Sequence, residues 1–210
     1  MIVSSRLFDP VDTGKMLGDF AEGDVIKLDE NGTLVEFYVA KHDYEPGLNG
    51  NGRTLVVRKG LYGYRRWNTE GTNVYAESTT LKWLNSDYKA LLSSKVQQNL
   101  GTKYYATAYG PDSGVEPFES DVFILSLKEF DRPHYGANDE GSALPNTDLY
   151  RIGMFDGIAE EQLTRTPATQ NEIDAVTINK SGYAISRSVT YESACVRPCF
   201  TLPVTIMVKG

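Results

Sequence analysis

The sequence predicts an α+β fold: a single domain with a mixed or antiparallel sheet and one or two short helices. Three observations point there. Runs with strand-like alternation outnumber helical patterns, nineteen glycines and nine prolines punctuate 210 residues, and neither a linker-like tract nor a fixed-period repeat divides the chain. A chain of this length buries roughly 70% of its unfolded surface. Residues 1–22 are expected as an N-terminal arm or first strand, and 23–210 as the domain.

Asp24 to Leu28 reads as a strand, Asn31-Gly32 as a tight turn, and Thr33 to Ala40 as the returning strand, in which Val35, Phe37 and Val39 alternate with Leu34, Glu36 and Tyr38. Gly47 to Gly52 is a predicted loop and Thr54 to Lys59 a third strand. Ser78 stands where an N-cap should, before a stripe of Leu81, Leu84, Tyr88 and Leu91. Ser93 and Ser94 offer a cap for a second short helix through Val96 and Leu100. Asp121 to Leu127 is a continuous apolar run and predicts a fully buried strand. Tyr135 to Asn146, rich in Gly, Asn, Asp and Pro, is a predicted loop. From Thr164 to Ser193 the texture turns to Thr, Ser, Asn, Ala, Tyr and Gln, with weak alternation at Ala175–Ile178 and Tyr183–Ser186. Val196 to Val208, broken by Pro198 and Pro203, then reads as core strands.

Charge narrows the function. Twenty-one basic against twenty-eight acidic residues give a net charge of −7. Nucleic-acid binding needs a clustered basic excess, and Arg65-Arg66 is the one dense basic spot. No nucleic-acid partner is expected. No apolar run approaches the ~20 residues of a membrane helix, so no membrane insertion is expected. Met1 to Phe20 carries Asp9, Asp12, Lys15 and Asp19 among its apolar residues and does not read as a signal peptide.

Reactive motifs are scarce. Thr13-Gly14-Lys15-Met16 lacks the upstream glycine and the hydroxyl of a phosphate-binding loop. Cys195 and Cys199 are expected as buried, reduced thiols: along a strand, residues four apart sit roughly 13 Å from one another. His42 beside Asp43 and near Glu45 offers a base with an orienting carboxylate, but a strand end favours turn chemistry. His134 reads as a loop residue. Asn138-Asp139-Glu140 offers oxygen ligands for calcium, yet its spacing fits no established loop, and a solvated acidic turn is the expectation. No metal and no cofactor are expected.

The stretch worth most is the one rich in Tyr and hydroxyls. Recognition surfaces favour Tyr, Ser, Asn and Gly, because Tyr gives contact area at low entropic cost and small polar groups adapt. The alternative reading is an ordinary polar β-region facing water.

The order of motifs also carries a resemblance. Val74-Tyr75-Ala76, Leu81-Lys82-Trp83-Leu84-Asn85, Val122 to Leu127, Thr164-Arg165-Thr166-Pro167, Ser181-Gly182-Tyr183 and Val196 to Pro203 follow one another. Over roughly residues 22–205 this resembles a family of uncharacterised domains in bacterial and prophage proteins. That family is similar to the C-type-lectin-like fold of formylglycine-generating enzymes and phage receptor-binding proteins. The resemblance implies that the segment before the final strands, Ala168 to Ser193, is a display surface. The chain departs from it in places. Leu163 stands where tryptophan is usual, and Leu144-Pro145-Asn146 lacks the carboxylate of a calcium-dependent sugar site. Cys195 and Cys199 lie in an apolar run, where thiols ionise poorly, which argues against an enzyme. Arg165 and Arg197, in mostly buried strands, are expected to pin loops through backbone carbonyls, and Trp83 to pack in the core.

The expected function is therefore non-covalent recognition of a host-surface ligand by a virion-associated module of a phage or prophage, at a tail tip or fibre. Gln170, Asn171, Glu172, Asp174, Thr177, Asn179, Arg187, Thr190, Tyr191 and Glu192 are the ligand-binding candidates. The expected partners are a host cell-surface glycan or protein and other virion proteins, with the chain a homo-oligomer. The location is the virion, the chain being made in the host cytoplasm. The alternative is a purely structural virion component, such as a head decoration or baseplate subunit, favoured by a large apolar patch.

Overall fold

The computed structural model describes residues 14–108, 113–132 and 137–210. His134 and residues 1–13 of the expected arm lie outside them. The elements run β1 (Lys15–Met16), β2 (Val25–Glu30), β3 (Thr33–Lys41), α1 (Pro46–Asn49), β4 (Arg53–Arg58) and β5 (Gly63–Tyr64). Next come α2 (Thr79–Trp83), α3 (Lys89–Leu91), α4 (Ser94–Gln97), β6 (Thr102–Thr107), β7 (Val115–Ser120) and α5 (Asp148–Arg151). The chain closes with β8 (Gly153–Phe155), β9 (Ile158–Glu160), β10 (Gln162–Pro167), β11 (Asp174–Ile178), β12 (Ala184–Ser188), β13 (Cys195–Val196), β14 (Cys199–Pro203) and β15 (Met207–Val208). This is a sheet-rich α+β domain with short helices.

Two sheets organise it. An antiparallel one has the order β14-β4-β3-β2, and a mixed one the order β12-β11-β10-β13-β5, in which β10 and β13 run parallel. The chain passes between them twice: Tyr62 N–H donates to Val196 O, and Arg58 N–H to Pro198 O. The Asn31-Gly32 hairpin forms as its residues dictate, both at positive φ (53° and 81°), which suits the twist of the flanking strands. Lys15–Met16 pairs with Met207–Val208, and Leu17 is fully buried, so this part of the expected arm is integrated with the closing strand.

The helical segment starts at Ser78, whose hydroxyl accepts from Leu81 N–H at 3.1 Å. A π-helical turn at Leu84–Tyr88 then interrupts it before α3. Ser93 caps α4 in the same way. Each such cap contributes about 1 kcal/mol. Trp83 packs against Tyr62 and Tyr88, with the Arg65 guanidinium 3.8 Å from its ring centre. The predicted loop at Gly47–Gly52 in fact opens with the single turn α1, begun by Pro46 at its first position.

Asp121 to Leu127 corrects the expectation most clearly. Val122–Leu127 is buried throughout, yet it is not a strand. Its one ladder contact is Phe123 with Cys199. Side chains take the place of neighbouring strands. Asn85 accepts from Asp121 N–H and Val122 N–H and donates to Val122 O, Thr166 Oγ1 accepts from Leu127 N–H, and Arg165 donates to Ile124 O. A buried run must satisfy its backbone groups, and nothing requires that sheet neighbours do it.

Arg165 is the centre of that polar core. Fully buried, it reaches Tyr105 O, Ile124 O and Glu140 O and forms a 2.6 Å ion pair with Glu129, which also accepts from the Tyr44 hydroxyl. Tyr104 and Phe123 lie under the guanidinium, 4.9 and 5.6 Å away. Burial opposes the charge, but Glu129, Tyr44 and Glu140 outweigh it and hold Arg165 above its ordinary pKa. Arg197 is pinned by carbonyls alone, those of Tyr150 and Ile152, and burial pulls it down to about 10.

Candidate functional site

Two further expectations resolve into scaffold. His42 is committed at both ring nitrogens, Nδ1 to Thr54 Oγ1 and Nε2 to Phe20 O, each at 2.8 Å. Phe20 O accepts only, so Nε2 carries a proton and the ring ties two turns together. Asp43 does not orient it; its carboxylate accepts from Gly52 N–H. The Asn138-Asp139-Glu140 cluster disperses, with Asn138 on Ser113 O, Asp139 on Lys128, and Glu140 turned inward. Glu140 is fully buried and accepts from Thr107 N–H, Thr107 Oγ1 and Thr166 Oγ1, so the expected solvated turn is corrected at this residue. Burial pushes its carboxyl up, against Arg165 and these donors. Among the described residues no three His, Cys, Asp or Glu side chains gather as a metal site.

The predicted recognition residues divide along β11. At its start, Asn171 donates to Asp174 and accepts from Ile173 N–H, while three carbonyls of this turn, those of Ala168, Asn171 and Asp174, are held by the buried Asn73. Gln170 and Glu172 are exposed on the same turn. At the far end, Asn179 accepts from Ser181 N–H and Tyr183 N–H and shapes the β11–β12 turn. Thr190 is exposed and shares a hydrogen bond with Ser188. Thr177 is the correction: it is buried, and its hydroxyl donates to Glu161 at 2.6 Å. Ala175–Ile178 is buried on both faces of the strand, so Thr177 is enclosed too, against a carboxylate that needs a donor.

Three of the predicted residues, Arg187, Tyr191 and Glu192, converge on one groove. It encloses about 410 Å³ and is lined by Tyr64, Glu160, Glu161, Lys180, Tyr191, Glu192 and Ser193. Pairing of β13 with β5 sets Tyr64 opposite Cys195, and Cys195 N–H donates to Glu161 O, so β5 and the Glu160–Glu161 corner form the side that residues 168–193 do not supply. Glu161 is bound by Arg187 through Nε and Nη2 and by Thr177. Arg187 also lies 5.2 Å from the Tyr191 ring centre. Lys180 pairs with Glu160 at 2.8 Å, and Arg66 with Glu192. Tyr64 is half exposed, with its ring edge-on to Phe155. The bonds to Lys180 and Tyr64 hold the Glu160 carboxyl below its usual range despite some desolvation, and Glu160 in turn holds Lys180 up.

Cys195 is buried beneath this groove. Burial first, and the charge of Glu160 second, push its thiol up to about 12. At neutral pH it carries almost no thiolate and is a poor nucleophile.

Glu160, Glu161 and Tyr64 went unmarked because they lie outside Ala168–Ser193. The available signal was chemical: a buried Thr and a half-buried Arg on neighbouring strands imply a shared acceptor.

Across the β8–β9 hairpin lies a second concavity of about 520 Å³, rimmed by the exposed Leu149, Ile152 and Met154. Its basic groups are already taken, Arg58 by Glu30 and Lys59 by Glu36.

The chain belongs to the family described as Domain of unknown function (DUF6273), whose model matches residues 51–204. No curated protein and no solved structure matches it. The matched span includes β4 through β14 and therefore every residue lining the Tyr64–Tyr191 groove.

Proposed function

We propose, with that family membership as premise, that the chain is a non-catalytic recognition module. It holds a host-surface ligand, a glycan or a protein, in the groove between Tyr64 and Tyr191. The setting proposed is a phage or prophage virion, at a tail tip or fibre, and the architecture proposed is C-type-lectin-like. The observation that carries the reading is the groove. Two solvent-exposed tyrosine rings stand beside carboxylates held in position by Thr177, Arg187 and Lys180. Pre-oriented polar groups around aromatic surface cost little to order on binding. The high thiol pKa of Cys195 and the full engagement of His42 speak for binding over covalent chemistry.

Binding of labelled protein to intact candidate host cells tests this. Wild type binds saturably, Tyr191→Ala and Tyr64→Ala lose binding, and Gln170→Ala, at the other end of β11, keeps it. Equal binding by all four, or by none, overturns the proposal.

The apolar rim of Leu149, Ile152 and Met154 favours a second reading, a structural component that docks onto another virion protein there. Under it, Met154→Asp abolishes incorporation into particles while cell binding by the free chain is absent from the start.

A further inference from the structure

The charges of the groove pair off one for one. Glu160 faces Lys180, Glu161 faces Arg187, and Glu192 faces Arg66. Three carboxylates and three cations leave no net charge to attract an ion of either sign. An ionic ligand would have to displace a partner that is already in place. What remains available is hydrogen bonding: the further lone pairs of the paired carboxylates, the Lys180 ammonium, and the hydroxyls of Ser193, Tyr191 and Tyr64, the last already bonded to Glu160. Beside them lie the rings of Tyr64 and Tyr191, 50% and 36% exposed.

From this arrangement we infer that the groove takes an uncharged, polyhydroxylated ligand, a neutral saccharide unit. This inference rests on the groove being the recognition site. A sugar ring offers an apolar C–H face to an aromatic side chain and a rim of hydroxyls, each donor and acceptor at once. Fixed carboxylates accept from such hydroxyls, and Lys180 donates to them. A volume of about 410 Å³ falls in the small-ligand range and suits one or two such rings. Neither face of the chemistry calls for a metal, since the acceptors come from the protein itself.

The experiment is a titration of the purified chain, followed by calorimetry and by amide NMR shifts. The ligand arms are neutral oligosaccharides, sialylated and sulfated ones, amino sugars with their N-acetylated counterparts, and a lysine-rich peptide. A neutral oligosaccharide is expected to bind saturably, shifting amides of residues 191–193. Its affinity stays within about twofold between ~50 and ~500 mM NaCl, since no ion pair forms on binding. Tyr191→Ala costs about tenfold in affinity, while Tyr191→Phe retains most of it. Lys180→Gln, at a 59% exposed side chain, leaves Glu160 without its cationic partner, with only the Tyr64 bond, and shifts preference toward the amino sugar over its acetylated form. Salt-sensitive binding of a charged arm in the groove, with neutral sugars inert, overturns the ligand class and leaves the groove a recognition site. Absence of groove shifts in every arm overturns both.

Discussion

The surroundings of Arg165 and of Arg187 use nearly the same residue types. Each arginine pairs with a glutamate, Glu129 or Glu161; each lies against a tyrosine ring, Tyr104 or Tyr191; and each has a threonine close by, Thr166 or Thr177. They differ in burial. Both side chains of the Arg165–Glu129 pair are wholly buried, whereas Arg187 is 40% exposed over a Glu161 that is 6% exposed. In the first set every donor must find an acceptor within the protein, so the arginine is tied to Tyr105, Ile124 and Glu140 and serves the fold. In the second the outer half of the cluster meets water, and on the proposed reading its remaining hydrogen-bonding capacity is what a ligand would use. The chemistry is the same in both, and solvent separates them.

The largest expected effect tests that contrast directly. Arg165→Ala strands the buried Glu129 and three carbonyls and should cost about 3–5 kcal/mol by denaturant unfolding. Arg187→Ala, at a half-open pair, should cost about 1 kcal/mol or less. Equal losses would show that burial is not what separates the two clusters. Asn85→Ala removes the partners of Asp121 N–H and Val122 N–H, and about 2 kcal/mol is expected, with amide exchange accelerated first at 121–122. Ser78→Ala, outside the residues that line the groove, should lower stability by about 1 kcal/mol and leave ligand binding unchanged.

The smallest effects concern titration. In the groove, Glu160 lies below its ordinary pKa and Lys180 above, so their pair is whole across neutral pH. The contribution of Glu160 is present above its unfolded value of 4.5 and is lost as pH falls through its depressed folded value. That of Lys180 is complete below 10.5 and is lost as pH rises through its raised one. Groove binding followed from pH 5 to 9 should accordingly be flat. Cys195 titrates only near 12, so a disulfide reagent at pH 8 should leave native protein unmodified and label both cysteines after unfolding.

Short-range features were legible in the chain. The Asn31-Gly32 turn follows from the positive φ its two residues tolerate, and the Ser78 and Ser93 caps bond partners three residues on, so local geometry dictates them. The pinning role of Arg165 and Arg197 followed from the cost of burying a cation, although Glu129, 36 residues before Arg165, did not. Val122–Leu127 misled because continuous apolarity reports burial and says nothing of which groups satisfy the backbone.

The groove divides the same way. Tyr191, Glu192 and Arg187 lie in the Tyr- and hydroxyl-rich stretch that composition alone singled out. Their partners did not, since Glu161 lies 26 residues from Arg187, and Tyr64 enters through the β13–β5 pairing. Composition and local periodicity carry information about burial, turns and caps, because those energies depend on neighbours in sequence. Which carboxylate meets which arginine, and which ring faces which, depends on strand order, and that is settled only when distant segments compete for one core.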